Sequence, residues 1–147
     1  YRFDETWDSP HNRQVTAEII PVFSCPSGDD PATDTNYMLI TGKDSLFEGQ
    51  QAVKFSEITD GTSNTILVVE VQGKGVHWAR PVDLDASSVP SSLGPGGGGI
   101  DSQHAGGANV AFADGAVTFL RFNAASESQV RAQVTPRGGE AVSRTNR

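Results

Sequence analysis

The sequence predicts a β-rich α+β fold, and three observations support this class. The chain has 147 residues, which is the size of one domain with a single core. It contains 16 glycines and 8 prolines while only 20% of its residues are charged, a composition typical of short strands joined by many turns. Short β-branched runs lie between turn residues, and one segment near the C-terminus carries the start signal of a helix. We therefore expect residues 1–147 to form one domain.

The first half of the chain predicts three strands. Residues 1–14 are polar with isolated aromatics and read as a loop or short helix, and the pattern VTAEII (15–20) is compatible with a helix or a lead into a strand. The segment IIPVFSCP (19–26) predicts a short strand that ends at a proline, and NYMLITG (36–42) predicts a second one. Residues 43–58 have no clean period. The β-branched run 65–71 predicts a third strand with cover on both faces.

The second half begins with a long loop. Residues 73–103 contain a GPGGGG core that neither helix nor strand tolerates, and loops of this length are usually functional or mobile. After the hairpin described next, residues 123–134 predict a short helix that Asn123 or Ser126 can cap, and Ser126 with Gln129 fits a capping box. Residues 135–147 have turn composition and are expected to fray.

The segment HAGGANVAFADGAVTFLRF (104–122) predicts a β-hairpin. Asp114 and Gly115 separate two apolar alternations, which favours a two-residue type I′ turn. That turn aligns four bulky side chains on one face: Val110, Phe112, Val117 and Phe119. A three-residue loop would instead shift the register by one residue and move the bulky pair of the second strand to the opposite face.

The hairpin also separates its histidine from its aspartate. Six strand residues at about 3.3 Å each put His104 roughly 20 Å from Asp114, so the two cannot form a catalytic pair. His104 is expected near Phe122 and the start of the last helix, bonded to a backbone or helix-end group. Turn chemistry alone accounts for Asp114.

Composition excludes some functions and limits others. A net charge of −7 and a pI near 4.8 argue against a nucleic-acid partner, which needs a basic stripe. Cys25 is the single cysteine, so neither a disulfide framework nor a thiolate zinc site is expected; we predict a buried inert thiol, or pairing with a missing segment or another chain. No apolar run is long enough to span a membrane. Because the chain opens at Tyr1 on aromatic and charged residues, we expect a processed or truncated form.

Calcium is the favoured candidate for a bound ion. Carboxylates and loop carbonyls are the hard oxygen ligands that Ca²⁺ prefers, and three aspartates flank the glycine-rich loop where carbonyls are free to turn inward. These residues are Asp83, Asp85 and Asp101. Their spacing matches no EF-hand, and acidic loop residues are usually only solvated.

For three other candidate sites, a structural role of the residues is favoured over a functional one. Ser63 could be a nucleophile with His77 or His104 as base, but the GTSNT sequence lacks the second glycine of a nucleophile elbow and has ideal turn composition. Transition-metal binding by three histidines in unrelated segments is disfavoured; these are His11, His77 and His104. Trp78 either lines a groove for a sugar or peptide or anchors the long loop.

Several motifs together resemble one protein family. The segment HAGGANVAFADGAVTFL has the H-x(9)-D-G pattern, carried by His104, Gly106, Gly107, Asp114 and Gly115. The motifs FSCPSG, NYMLITG, ITDGTSNTILVVE (which includes Asp60 and Gly61), VHWARPVDL and TPRGGE occur in the family's order. The chain resembles prepilin-like proteins of unknown function that are abundant in planctomycetes and related bacteria.

The resemblance implies a pilin-like globular head with an antiparallel sheet, preceded in the family by a basic leader and a long apolar helix that this sequence lacks. It implies a cell-envelope or extracellular location, homo- or hetero-oligomeric assembly with other protein subunits, and membrane attachment only through that missing helix.

Two functions follow from these observations. The first is a non-enzymatic structural subunit that acts in assembly or adhesion through protein–protein contacts and needs no cofactor, because the sequence offers no convergent catalytic set. The alternative is a calcium-dependent ligand-binding module that uses the 73–103 loop.

Overall fold

A computed structural model describes residues 1–49, 53–89, 93–96 and 98–140 of the chain. Within these ranges it has two α-helices and five strands, which confirms the β-rich α+β class. The helices are α1 (Asn12–Thr16) and α2 (Glu127–Val134), and the strands are β1 (Tyr37–Thr41), β2 (Ile66–Glu70), β3 (Leu84–Asp85), β4 (Gly107–Phe112) and β5 (Val117–Arg121). Short 3₁₀ helices occupy Pro21–Phe23 and Phe55–Glu57.

The strands form one mixed sheet in the order β3-β1-β2-β4-β5. Antiparallel pairing joins β1 to β2, β2 to β4 and β4 to β5, while the two residues of β3 pair parallel with β1. The predicted strands at 36–42 and 65–71 are confirmed, since β-branched and aromatic side chains favour the pleated, half-buried surface. The sequence did not predict β3, which lies inside the 73–103 loop and is too short to show a period.

A β-bulge in β2 determines which side chains lie on each face of the sheet. Ile66 pairs with Phe112 and Val68 pairs with Ala111, so the register shifts between Ile66 and Val68. The extra residue allows Ile66 and Val69 to point into the same core, although an odd spacing would place them on opposite faces of a regular strand. The next residue, Glu70, therefore points to the other face.

One face of the sheet, here called the inner face, carries the core. Its buried residues include Met38, Val69 and Val110, which align across the three central strands. Helix α2 packs on this face through Val130 and Val134, and apolar residues of the segment between β2 and β4 complete the cluster. Ser126 caps α2 and forms the predicted capping box with Gln129, so this helix prediction is confirmed.

The hairpin has a three-residue loop, so the predicted two-residue turn is wrong. Ala111 pairs with Val117, and the Gly115 N–H donates to the Phe112 carbonyl at 2.9 Å. Gly115 has a φ of 84° while Asp114 is not among the residues with positive φ, which excludes a type I′ turn. Val117 consequently lies on the outer face and is 68% exposed.

Two further expectations are wrong. Residues 19–26 form a 3₁₀ turn at Pro21–Phe23 and not a strand, because the proline fixes a helical φ at the first position. Residues 135–147 were expected to fray, but the described part, 135–140, is bound to the rest of the domain. The Gly138 and Gly139 N–H groups donate to the Asp60 carboxylate at 2.7 and 3.0 Å. Residues 141–147 lie outside the described residues.

None of the helices within the described ranges combines the length and apolar character needed to cross a membrane.

The hairpin loop provides a test of the corrected turn. Gly115→Val should destabilise the domain by about 1–2 kcal/mol, because a β-branched residue resists the positive φ that this position requires. Gly115→Asn is the matched control and should cost clearly less, since asparagine tolerates the left-handed region. Urea unfolding of both variants measures the difference, and equal costs would contradict the assigned turn.

Candidate functional site

Glu70 is a fully buried carboxylate at the end of β2. Its side chain is 0% exposed and points to the outer face, opposite the apolar core. Asn109 of β4 holds one carboxylate oxygen, because its backbone N–H donates to Oε2 at 2.8 Å and its side-chain amide donates to the same atom at 3.2 Å. The other oxygen, Oε1, accepts no hydrogen bond from any part of the chain that the structure describes.

Cys25 is brought to Glu70 by the buried side chain of Asn36. The side-chain oxygen Oδ1 of Asn36 accepts the Cys25 N–H at 2.8 Å, and its side-chain NH₂ group donates to the Val71 carbonyl at 3.2 Å and to the Asp30 carboxylate at 2.7 Å. One amide thus joins the 25–30 loop to the ends of β1 and β2. Cys25 is 7% exposed.

His104 is held by the turn that precedes β4. The Ser102 hydroxyl donates to the Gly107 carbonyl at 2.7 Å and accepts the His104 N–H at 3.0 Å. Phe119 meets the imidazole edge-on, with ring centroids 6.2 Å apart. Position 107 must be glycine, because a Cβ there would collide with the Phe119 ring and with the Leu120 backbone oxygen.

The three side chains converge on a single imidazole nitrogen. His104 Nε2 lies 3.5 Å from Cys25 Sγ and 3.3 Å from Glu70 Oε1. The ligand atoms of all three residues lie within 4.8 Å of one another, which is close enough to hold a metal ion. We call these three residues, identified among the described part of the chain, the metal-sized group. His104 therefore lies beside Cys25 and Glu70, and the expectation that its ring bonds a backbone carbonyl or a helix-end group is wrong.

This arrangement differs from a catalytic triad. In a triad, the nucleophile faces one nitrogen of the histidine and the carboxylate binds the other, which orients the ring and stabilises its charge. Here the thiol and the carboxylate face the same nitrogen. The geometry brings sulfur, nitrogen and oxygen donors to one point, as metal coordination requires.

The electrostatics of the cluster keep the thiol protonated. Burial, followed by the nearby Glu70 carboxylate, raises the pKa of Cys25. Burial also raises the pKa of Tyr37, whose phenol lies near the Cys25 thiol and the Glu70 carboxylate. An activated cysteine nucleophile has a lowered pKa, so the metal-free cluster is poorly suited to nucleophilic attack.

The three aspartates predicted to bind calcium do not form such a group. Asp83 accepts an N–H of β1 at 3.0 Å, and Asp85 accepts the backbone N–H and the hydroxyl of Ser87. Asp101 is buried and accepts the N–H of the next residue at 2.8 Å. Because positions 90–92 and 97 of the 73–103 loop lie outside the described residues, calcium binding by this loop stays a prediction.

The remaining candidates occupy separate places. His77 Nδ1 accepts the Ala79 N–H at 3.1 Å, and its ring lies 5.1 Å from Trp7 and 5.7 Å from Trp78. Trp78 stacks on Phe23 at 5.7 Å and donates to the Glu18 carbonyl, contacts that anchor the N-terminal segment. These contacts support the anchor hypothesis for Trp78. Neither His11 nor His77 belongs to the metal-sized group.

The signature residues outside the cluster have local roles. Asp114 Oδ1 accepts the Ala116 N–H at 2.9 Å, which confirms its part in the turn. Gly61 has a φ of 93°, and its carbonyl accepts the Asn64 N–H at 2.9 Å within the turn that contains Ser63. The Gly106 carbonyl accepts the Phe122 N–H at 2.9 Å.

Sequence reasoning considered Cys25 and His104 separately and did not consider Glu70. The available signal was an acidic residue at the end of an otherwise apolar run, ILVVE, which indicates a buried charge that needs partners. Each cluster member lies within a motif that carries the family resemblance: FSCPSG, ITDGTSNTILVVE and the H-x(9)-D-G segment.

Comparison with known proteins gives one match. Residues 28–94 match the family model described as "Protein of unknown function (DUF1559)". The matched segment is less than half of the chain; it contains Glu70 and the first three strands. The chain matches no curated protein and no solved structure.

The raised thiol pKa predicts alkaline destabilisation of the metal-free domain. Above pH about 8.5 an unfolded thiol ionises while folded Cys25 keeps its proton, so the unfolded state binds fewer protons. The free energy of unfolding should therefore fall as pH rises from about 8 to about 10. Urea unfolding across this range, in buffer containing a chelator, measures the slope.

Cys25→Ala is the comparison variant for this slope. It should flatten the alkaline decline and leave the part that comes from Tyr37, which Tyr37→Phe removes separately. An unchanged slope in Cys25→Ala would show that folding does not raise the pKa of the thiol, which would contradict the prediction.

Proposed function

We propose that this chain is a non-enzymatic, pilin-like assembly subunit of the cell envelope or the extracellular space, which acts through contacts with other protein subunits. The observation that carries the proposal is a row of apolar side chains on the outer face of the sheet. The resemblance to prepilin-like proteins is consistent with it.

The row follows directly from the strand register. Leu39 pairs with Val68, Val68 with Ala111, and Ala111 with Val117, so one residue from each of four neighbouring strands aligns across the sheet. We call Leu39, Val68, Ala111 and Val117 the apolar row. None of the four is fully buried, and Val117 is 68% exposed. Apolar side chains aligned on a sheet favour contact with another protein surface.

The adjacent row on the same face has a different character. It consists of Tyr37, Glu70, Asn109 and Phe119, and the side chains of Cys25 and His104 contact it. The 25–30 loop and the turn before β4 thus cover one end of the outer face, while in the apolar row Val117 is exposed and the other three side chains are half-buried. The available contact surface is narrow and lies towards β5.

Strand β5 adds a second feature that suits assembly. It lies at the end of the sheet and pairs with β4 alone among the described strands. An edge strand presents unpaired backbone groups to which another strand can add. A partner on β5 would cover Val117 and pair with the strand edge at once.

Non-enzymatic function is supported by the geometry of the Cys25 cluster. The thiol and the carboxylate face the same histidine nitrogen, and the pKa of the thiol is raised. Both features disfavour the general-base activation that a cysteine nucleophile requires.

Site-directed photo-crosslinking in the natural protein, in its own cells, tests the proposal. A photo-reactive amino acid at position 117 should crosslink to another protein subunit, which mass spectrometry of the adduct identifies. Position 22 is the matched control, because Val22 is also an exposed valine, at 73%, and lies outside the strands.

Labelling of an envelope subunit from position 117 and not from position 22 supports the proposal. Equal labelling at both positions, no adduct at 117, or an adduct only within the same chain would each contradict intermolecular docking at the apolar row.

A further inference from the structure

We propose that Cys25, Glu70 and His104 bind a divalent zinc-class ion, with thiolate sulfur, carboxylate oxygen and imidazole Nε2 as its three protein ligands. This site is independent of the proposed assembly function, which uses the apolar row. Four observations support it: the ligand geometry, the uncompensated carboxylate oxygen, the charge balance and the access to solvent.

Two of the three distances between ligand atoms match the edges of a tetrahedral zinc site. With Zn–S near 2.3 Å and Zn–N and Zn–O near 2.1 Å, tetrahedral angles place sulfur about 3.6 Å from nitrogen and nitrogen about 3.4 Å from oxygen. The observed separations are 3.5 Å between Cys25 Sγ and His104 Nε2, and 3.3 Å between that nitrogen and Glu70 Oε1. The ligand atoms of Cys25 and Glu70 lie within 4.8 Å of each other, so two edges already have the length that a tetrahedral ion requires and the third would close when the ion binds.

Glu70 Oε1 provides an independent indication of a ligand. It belongs to a side chain with 0% exposure and accepts no hydrogen bond within the described residues, although it lies 3.3 Å from an imidazole nitrogen. A buried carboxylate oxygen without a donor is costly. Its partner Oε2 is fixed by two donors from Asn109, which leaves Oε1 oriented towards Cys25 and His104.

The charges balance when the ion binds. Coordination releases the Cys25 thiol proton to solvent, so a thiolate, a carboxylate and a neutral imidazole surround a dication with no net charge. The mixed sulfur, nitrogen and oxygen set selects zinc-class ions over Ca²⁺ and Mg²⁺, which prefer oxygen ligands alone. The raised pKa of the thiol in the metal-free protein does not oppose this, because a bound dication deprotonates a coordinating thiol.

The site also has an entry path and a fourth position. The His104 side chain is 31% exposed, so the cluster lies close to the protein surface, where a water could complete the coordination of a bound ion. The three ligands come from three separate segments, so a bound ion would join the 25–30 loop to β2 and to the turn before β4.

Cobalt spectroscopy tests the site on the whole chain, freed of metal with a chelator and kept reduced. One Co²⁺ per chain should produce a thiolate-to-cobalt charge-transfer band and the intense visible bands of a four-coordinate ion, and Zn²⁺ should abolish both. Zn²⁺ should also raise the unfolding temperature, whereas Ca²⁺ should not.

Variants assign the ligands. Cys25→Ser should eliminate the charge-transfer band, and His104→Gln should abolish stoichiometric binding. His11→Gln is the matched control and should bind as the unaltered chain does, since His11 lies outside the group. Asn109→Ala should weaken zinc binding by about 10–100-fold, because the lost amide orients a ligand.

A second measurement uses only the unaltered chain, so its result does not depend on whether a variant folds. Zn²⁺ should slow alkylation of Cys25 in the unaltered chain, and Ca²⁺ should not. Bound Co²⁺ without a charge-transfer band, zinc affinity unchanged in Cys25→Ser, or alkylation at the same rate with and without Zn²⁺ would each overturn the proposal.

Discussion

The buried carboxylate of Glu70 is the constraint that organises the outer face of this domain. An ionised group with no exposure is strongly destabilising unless nearby donors and charges compensate it. Three segments meet at that carboxylate: β4 through Asn109, which donates two hydrogen bonds to Oε2, the turn before β4 through His104, and the 25–30 loop through Cys25. The position of each segment therefore depends on one side chain.

The bulge in β2 makes this arrangement possible. It keeps Ile66 and Val69 together in the core and turns Glu70 away from them. The outer face thereby carries two adjacent rows: the row that contains Glu70 and Asn109, on which Cys25 and His104 lie, and the apolar row, which is exposed at Val117. The proposed metal binding uses the first row and the proposed subunit contact uses the second, so each can be perturbed separately.

The elements that the sequence predicted correctly are those with local signals. The strands around NYMLIT and ILVVE follow from β-branched and aromatic content, and the start of α2 follows from the Ser126 capping box, whose hydrogen bonds span three residues. The hairpin was predicted, but its loop length was not. An Asp-Gly step suits both a type I′ turn and a three-residue loop with glycine in the left-handed region, and apolar alternation favoured the wrong one.

The candidate site could not be predicted because it depends on tertiary placement. Cys25 and His104 lie 79 positions apart, and their meeting requires the Asn36 amide, the β2 bulge and the Ser102 turn at once. A single cysteine read alone argued against a thiolate metal site, since such sites usually combine several cysteines or histidines at recognisable spacing. Glu70 gave the one local indication, as a charge that ends an apolar strand.

A double-mutant cycle between Glu70 and His104 tests the central claim most directly. The free energies of unfolding of Glu70→Gln, His104→Ala and the double variant are measured with a chelator present, so that metal binding does not contribute. If the buried carboxylate holds the imidazole, the cycle gives a favourable coupling energy of about 1–3 kcal/mol. If the two single changes in unfolding free energy simply add in the double variant, the carboxylate does not hold the imidazole, and the account is contradicted.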